Sequence, residues 1–526
     1  MFNPFQVIQV NDNCNAALFF VDRHKSGALS SKTAFIEATK EARQISYADL
    51  ASQTDRFAAL YARHKISRSD KAVMLVHDCI DFPVIFWGSI KAGIIPVPLN
   101  TLLPGDIYAS ILKDSEARVL FVSAELLKEV EPALLNNTYL KVVIVIGGSH
   151  TSEYLDFDTE MRLSAAGGTI VLAQPEDCAF WLYSSGSTGA PKGVRHKHAS
   201  LQATVTTYAQ HILQIQESDV VYSVAKLFFA YGLGNGMSFP MSVGATTVLY
   251  SGRPTPESVI DVLKSYQPSI FCGVPTLYAA LLAYLSAQSD SEIKQVFLSI
   301  RCSISAGEAL PENVARRCCE TLGLEILDGV GSTELLHIFL SNRIDDIRYG
   351  SSGRAVPGYE FRLLDDKGVE VEEGKIGELL VKGPTTALDY WRQAEKSGET
   401  FKDGWTRTGD KYTRGIDGLL TYCGRTDDMF KVSGIWVSPF EVEQALVSHE
   451  LILEAAVVAC DDKEGLTKPK AYVVLESGLA SDELVGQLKD YVKLAIGKWK
   501  YPRWIEFMES LPKTATGKIQ RFKLRG

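Results

Sequence analysis

The sequence predicts an α/β fold: a large N-terminal domain of two layered α/β subdomains with a small β-rich unit, followed by a small α+β C-terminal domain. Three observations carry this. From Ser46 onward, short β-branched runs alternate with segments whose apolar residues recur at helical spacing, as in mostly parallel sheets covered by helices. Beyond Gly350 the texture changes to short strands broken by turn residues. A polar segment, Gly424-Arg425-Thr426-Asp427-Asp428, then sets off about a hundred residues with their own helix and strand patterns, so the expected division is 1–426 and 427–526.

Taken in order, Tyr47 to His64 places Leu50, Ala51, Phe57, Leu60 and Tyr61 on one helical face. Lys71 to Val76 then reads as a strand and Phe82 to Ala92 as a second helix, followed by short strands at Ile94 to Leu99, Val119 to Val122 and Val142 to Ile146. Cys178 to Leu182 is an apolar run of the buried-strand kind, and the Thr/Ala/Leu-rich stretch from His198 to Leu213 reads as a helix. Strands are expected again at Val220 to Val224, Ala245 to Tyr250, Ile270 to Val274 and Ile300 to Ser305, with helices at Pro256 to Tyr266 and Thr276 to Ala287. The β-rich unit offers Phe361 to Leu364, Gly377 to Val381 and Leu419 to Tyr422. The last domain offers helices at Pro439 to Ser448 and Ser481 to Leu494, and strands at Ala455 to Ala459 and Ala471 to Leu475.

A chain of 526 residues is long for a single core, and 46% hydrophobic against 22% charged residues is a composition that folds. The formal net charge of −9 supplies no basic footprint for nucleic acid or an anionic membrane, which leaves small molecules as the expected partners. Nine cysteines without a C-x-x-C pair or zinc spacing read as reduced thiols of a cytoplasmic protein. No apolar run approaches the roughly 18 residues that span a bilayer, and residues 1–13 lack a basic region followed by an apolar core, so neither membrane insertion nor secretion is expected. The oligomeric state stays open, a homodimer among the choices.

Chemistry concentrates first in Tyr183-Ser184-Ser185-Gly186-Ser187-Thr188-Gly189-Ala190-Pro191-Lys192-Gly193. Glycines let the backbone bring its N–H groups close to an anion, the hydroxyls add donors, and Lys192 adds a point charge. All of this suits a polyphosphate. The order strand, flexible polar loop, helix is a phosphate-binding layout, although Lys192 lies between Pro191 and Gly193 rather than in the Gly-Lys-[Ser/Thr] of the P-loop. A solvated Gly/Ser linker is the plainer alternative.

Five further motifs follow: Ser305-Ala306-Gly307-Glu308-Ala309-Leu310, Gly331-Ser332-Thr333-Glu334, Gly404-Trp405-Thr406-Arg407-Thr408-Gly409-Asp410, Gly424 to Asp428, and Pro512-Lys513-Thr514-Ala515-Thr516-Gly517-Lys518. In identity, order and spacing the six together resemble the adenylate-forming superfamily of acyl-CoA synthetases, amino-acid adenylation domains and beetle luciferases, over nearly the whole chain. Phe228 to Gly232, Glu334 to Phe339 and Lys431 to Pro439 look closest to the aryl-CoA ligases of the benzoate type.

The resemblance implies a two-step, ATP-dependent, AMP-forming acid–thiol ligase with Mg²⁺ as metal and CoA as co-substrate, of the kind used in aromatic acid degradation. Alternatives are a hydroxybenzoate or other acyl-CoA ligase, or a stand-alone activating enzyme that serves a carrier protein. It implies ATP phosphates held by Ser184, Ser185, Gly186, Ser187, Thr188, Gly189 and Lys192. Thr333 would donate to the α-phosphate and Glu334 would bind Mg²⁺, its plainer alternative being a helix-capping carboxylate. Asp410, otherwise a turn residue, would take the ribose hydroxyls with Arg425 assisting. Adenine would lie between Ala306, Gly307, Glu308 and Asp328, Gly329, Val330, with Gly331 and Ser332 beside it. Lys518 would bridge carboxylate and α-phosphate during adenylation. Asp427 would be the hinge of a mobile C-terminal domain that brings Ser433 and Gly434 to CoA. Phe229, Ala230, Tyr231, Gly331, His337 and Ile338 would form a flat apolar slot for a planar acid, benzoate first. A lone His in an apolar run is by default a packed core residue. His337 and Tyr231 leave room for a ring hydroxyl. Relatives often carry an aromatic at Val330 and an Arg at Trp436, so ring stacking and a phosphate contact at those positions do not transfer.

Overall fold

The computed structural model describes residues 13–148, 153–165, 167–168, 170–185, 191–286, 289–432, 435–476, 479–513 and 519–525. The first layer is a five-stranded parallel sheet in the order Ile95–Pro98, Lys71–Leu75, Val119–Ser123, Val142–Ile146, Leu155–Asp156. Val119–Ser123 is buried at every position, which is why it reads as a continuous apolar run rather than an alternating one. The helix Tyr47–Arg63 starts where Ser46 accepts a hydrogen bond from the Asp49 N–H, and it buries Leu50, Ala51, Phe57, Leu60 and Tyr61.

The second layer is a nine-stranded sheet. Six neighbours run parallel in the order Thr33–Glu37, Thr246–Leu249, Val220–Ser223, Ile270–Gly273, Cys302–Ser305, Ile326–Gly331. Antiparallel strands extend both edges, with Gln44–Ser46 on one side and Ile338–Ser341 then Arg354–Ala355 on the other. An antiparallel sheet of Glu360–Leu364, Gly377–Lys382, Trp405–Arg414, Phe401–Lys402 and Leu420–Arg425 forms the β-rich unit. After it, the hairpin Phe430–Val432/Ile435–Val437, the strands Ile452–Asp461, Thr467–Leu475 and Trp504–Phe507, and the helices Pro439–Val447 and Asp482–Ile496 share a separate core. Val432, Val442, Leu446, Val457, Val473, Leu488 and Val492 are its center.

Two expectations are corrected. The polar loop is followed by a strand, not by a helix: Cys178–Ser185 pairs antiparallel with Pro191–Lys197, and the helix begins only at His198. Alternating burial in Pro191–Lys197, with Val194 and His196 inside, is the strand period that the basic residues conceal. Second, the helix expected to reach Leu213 is regular only over His198–Thr204 and then widens into a π-turn, Val205–Ala209. A second π-turn, Gly234–Ser238, interrupts the helices Ala230–Leu233 and Phe239–Val243. Single π-turns inside helices recur at functional sites, and residues of both of these lie against His337.

Candidate active site

The hairpin sets Ser184 opposite Lys192 and Ser185 opposite Pro191. Gly186, Ser187, Thr188 and Gly189 lie outside the described residues, as does Ala190. Ser184 Oγ is buried and has no hydrogen-bond partner among the described residues. A buried hydroxyl without a partner is costly, and a phosphate oxygen is the acceptor it suits. The chain re-enters the described residues as the strand Pro191–Lys197, so the helix N-terminus at His198 lies a full strand away. The Lys192 ammonium sits 4.7 Å from the Tyr390 ring center. Burial lowers its pKa while Glu334 raises it; Lys396 and Arg425 add repulsion.

Glu334 lies in the single 3₁₀ turn Thr333–Leu335, which has no side-chain cap at Ser332. A capping role for Glu334 is therefore excluded. Its Oε1 accepts a hydrogen bond of 2.9 Å from the Tyr390 hydroxyl. Next comes an unusual turn: Leu336 has φ +63°, and the His337 N–H donates to the Leu335 carbonyl at 2.7 Å, closing a γ-turn. A buried leucine in this region carries strain of about 1–3 kcal/mol, held in place by its surroundings. The restraint is visible, since Thr385 Oγ1 donates to the same Leu335 carbonyl at 2.6 Å.

Residues 385–391 form a strap that joins this turn to the hairpin Cys178–Ser185/Pro191–Lys197. The Ala387 N–H donates to the Glu334 carbonyl (2.9 Å), Leu388 N–H to Arg195 (2.8 Å) and Trp391 N–H to Gly193 (2.8 Å). Asp389 accepts from Arg195 Nε at 2.6 Å. Residues far apart in the chain are thereby held as one unit around Lys192 and Glu334.

Asp410 is in the middle of the strand Trp405–Arg414, opposite Arg425 of Leu420–Arg425, so it is not a turn residue. Arg425 Nη1 reaches Asp410 Oδ1 and the Thr408 carbonyl, each at 3.0 Å. A Cβ at Gly409, whose φ is +72°, would stand 2.8 Å from Arg425 Nη2. Glycine there both adopts the turn of the backbone and lets the guanidinium close.

Ala306, Gly307 and Glu308 follow the strand Cys302–Ser305, and Asp328, Gly329 and Val330 lie in the adjacent Ile326–Gly331, in register Ser305 to Asp328. Both sets occupy carboxyl ends of neighbouring parallel strands, the usual crevice for a nucleotide in an open α/β sheet. Asp328 turns its side chain inward: burial pushes its carboxyl well above the ordinary range, and Oδ1 has no partner among the described residues. Ser332 Oγ is likewise buried without one.

His337 is buried and ringed by aromatic neighbours, with Phe239 at 4.6 Å, Tyr208 at 5.0 Å and Tyr231 at 6.0 Å between ring centers. A Cβ at Gly234 would come 2.5 Å from His337 Cδ2, so only glycine lets the ring lie there. Asn235 Nδ2 donates to the Tyr231 carbonyl at 3.1 Å and stands 3.4 Å from His337 Nε2, while His337 Nδ1 has no partner among the described residues. Tyr231 spends its hydroxyl on the Gly273 carbonyl at 3.1 Å, and so offers a substrate its ring face rather than a donor. Gly331 lies close against the His337 and Ile338 backbone, and Phe229 packs edge-on to Phe228 at 4.5 Å, just before the Ala230–Leu233 helix. Tyr208, Gly234, Asn235, Phe239 and Tyr390 belong to this site and were not singled out by the sequence reading; the two π-turns that aim the first three leave no periodic signal.

Burial pushes the His337 imidazole down to about 3. It is uncharged above that value and supplies no cation to an acid. The KM for the acid substrate is accordingly expected to be flat between pH 6 and 9, checked by a pH profile of the kinetics. A break near 6.5, the ordinary histidine value, would contradict a neutral His337.

Lys518, Ser433 and Gly434 lie outside the described residues. Lys513 and Ile519 bridge on either side of 514–518, with Gln520 N–H donating to Pro512 at 2.8 Å. Asp427 is exposed between Leu420–Arg425 and Phe430–Val432, and the adjacent Asp428 pairs with Arg521 and Arg525. Among the described residues no group of three or more His, Cys, Asp or Glu side chains forms a metal cage, and no helix is long and apolar enough to cross a membrane.

Residues 23–391 match the AMP-binding enzyme family, and residues 441–518 match the AMP-binding enzyme C-terminal domain. The chain is 48% identical to the benzoate–CoA ligase of Thauera aromatica over 99% of this chain and 98% of that protein. It is 46% identical to the 4-hydroxybenzoate–CoA/benzoate–CoA ligase of Rhodopseudomonas palustris over 97% and 94% of the two. A solved benzoate CoA ligase from Burkholderia xenovorans LB400 superposes with a TM-score of 0.88 at 43% identity, covering 98% of this chain and all of the other. With both regions matched in order and near-complete coverage of these relatives, the chain belongs to the AMP-binding enzyme family.

Proposed function

We propose that the protein is an ATP-dependent benzoate–CoA ligase, converting benzoate, ATP and CoA to benzoyl-CoA, AMP and diphosphate in the cytoplasm. The observation that supports it best is the buried, uncharged His337 in an aromatic pocket, one γ-turn away from Glu334. A planar acid lying against His337 and the Tyr231 face has its carboxylate near residues suited to phosphate.

In the first step a carboxylate oxygen bonds to the α-phosphorus and the bond to the β-phosphate breaks, releasing diphosphate. Ser184, Ser185, the loop 186–189 and Lys192 hold the β- and γ-phosphates, Thr333 donates to the α-phosphate, and Lys518 offsets charge on carboxylate and phosphate together. Asp410 and Arg425 orient the ribose. The donor set also fits Mg²⁺: one carboxylate, Glu334, beside the hydroxyl of Thr333 is too little for a protein cage but suits a hard cation that arrives on a polyphosphate. When bound, Mg²⁺ neutralises phosphate charge. In the second step the CoA sulfur bonds to the carbonyl carbon, the thiol proton is lost and AMP leaves. Rotation about Asp427 withdraws Lys518 and brings Ser433 and Gly434 to the pantetheine.

His337 Nδ1, Asn235 Oδ1 and the Tyr208 hydroxyl have no partner among the described residues, which favours admitting ring-hydroxylated acids as slower substrates. AMP release from an acid panel, with and without CoA, tests the assignment. Benzoate is expected to exceed 4-hydroxybenzoate in kcat/KM by about 10- to 100-fold, because a poorly matched buried hydroxyl costs on the order of 1–3 kcal/mol. CoA-dependent turnover of a long-chain acid but not of benzoate would overturn the pocket reading.

A further inference from the structure

The tyrosine at the end of the strap stands between the two charged groups of the phosphate site and belongs to neither. Tyr390 pairs with Val194 of the hairpin, and its own N–H donates to Ser397 Oγ at 3.0 Å, so its backbone is fixed on both sides. From that position the hydroxyl reaches Glu334 Oε1 at 2.9 Å and the ring lies under the Lys192 ammonium, 4.7 Å from its center. We propose that Tyr390 is a positioning residue for adenylation: its hydroxyl occupies Oε1 of Glu334 and leaves Oε2 as the oxygen that would hold a metal, while its ring holds the Lys192 ammonium.

Three features support this. The Tyr390 hydroxyl lies 2.9 Å from Glu334 Oε1, and a phenol beside a carboxylate, which only accepts, donates to it. A carboxylate with one oxygen spent on a phenol presents a single oxygen in a fixed direction, whereas a free one rotates and can pair directly with Lys192. A ring face attracts an ammonium without neutralising it, unlike a second carboxylate, so Lys192 keeps its charge for phosphate. The backbone bonds from Ala387 to Glu334 and from Trp391 to Gly193 keep carboxylate, phenol and lysine in register.

The inference rests on the reading of Glu334 as metal ligand, and the experiment separates the two. Free Mn²⁺ is followed by electron paramagnetic resonance while Mn²⁺ and ATP are titrated into wild-type protein, Tyr390→Phe, Tyr390→Leu and Glu334→Gln. Tyr390→Phe keeps the ring and removes one hydrogen bond to a charged group, so Mn²⁺ binding in the ATP complex is expected to weaken about ten-fold. Thioester formation from added benzoyl-adenylate and the thermal midpoint should both match wild type. Tyr390→Leu should in addition weaken metal-free ATP, because Lys192 loses its support. Weakened Mn²⁺ binding in Glu334→Gln but not in Tyr390→Phe would overturn the inference and leave the ligand reading intact. Unchanged binding in Glu334→Gln would overturn the ligand reading and the inference with it. An equal fall of both half-reactions in Tyr390→Phe would mean a general structural role and also overturn it.

Discussion

Lys518→Ala is expected to abolish formation of the acyl-adenylate, by about 10³-fold or more, while thioester formation from supplied benzoyl-adenylate and CoA stays within a few-fold of wild type. The size follows from electrostatics. Charge develops on the carboxylate and α-phosphate oxygens together, and a cation fixed between them in a water-poor site acts on the transition state more than on either reactant. The split follows from motion, since a lysine near the end of the chain serves the first half-reaction only if it leaves for the second. Fold stability should not change, because the substitution removes one side chain from a loop framed by the Lys513–Ile519 bridge. Separate assays of diphosphate release and of CoA consumption check it; equal losses in both would remove Lys518 from its role.

Asp410→Ala is expected to lower kcat/KM for ATP about 100-fold, mainly through KM, with little change in the KM for benzoate. Two hydrogen bonds from a ribose diol to one carboxylate are each charge-assisted, worth about 1.5–3 kcal/mol. Arg425 is left without its partner at 3.0 Å, but its side chain is 44% exposed and remains hydrated, so the strand pair should survive. Asp410→Asn, which keeps one acceptor, should fall between wild type and alanine. A thermal melt alongside the kinetics separates a lost ligand contact from a lost fold.

Much of the architecture is legible because the physics is local. Val119–Val122 is apolar throughout because the strand is buried at every position, and Tyr47–Arg63 shows its buried stripe at helical spacing. The motifs around Ser184, Thr333-Glu334 and Thr408-Gly409-Asp410 stand out for another reason: each is a contiguous run of residues, whatever the fold around it. Where partners meet only through tertiary structure, the reading stops. Asn235 and His337 are separated by 102 residues, and no spacing rule joins them. Tyr208 and Gly234 face His337 because of π-turns, whose wider hydrogen bonding leaves the helical hydrophobic pattern in place. The strand Pro191–Lys197 is hidden because Lys192, Arg195 and Lys197 outweigh its three buried positions, Gly193, Val194 and His196, in composition. Tyr390 looks like an ordinary aromatic beside a tryptophan until the strap carries it to Glu334.

On the proposed assignment, the γ-turn at Leu336 would make acid choice and nucleotide activation neighbours on one short piece of chain. A backbone shift at His337 that admitted a bulkier ring would then pass through Leu336 alone, at φ +63°, before reaching residue 335 and Glu334. A lineage that drifted toward new acids would then have most freedom at Phe229, which lies on a different segment from residues 333–337, just before the Ala230–Leu233 helix. The substrate range of such an enzyme is bounded less by the volume of its pocket than by how little of that pocket can be rebuilt while the enzyme still spends ATP.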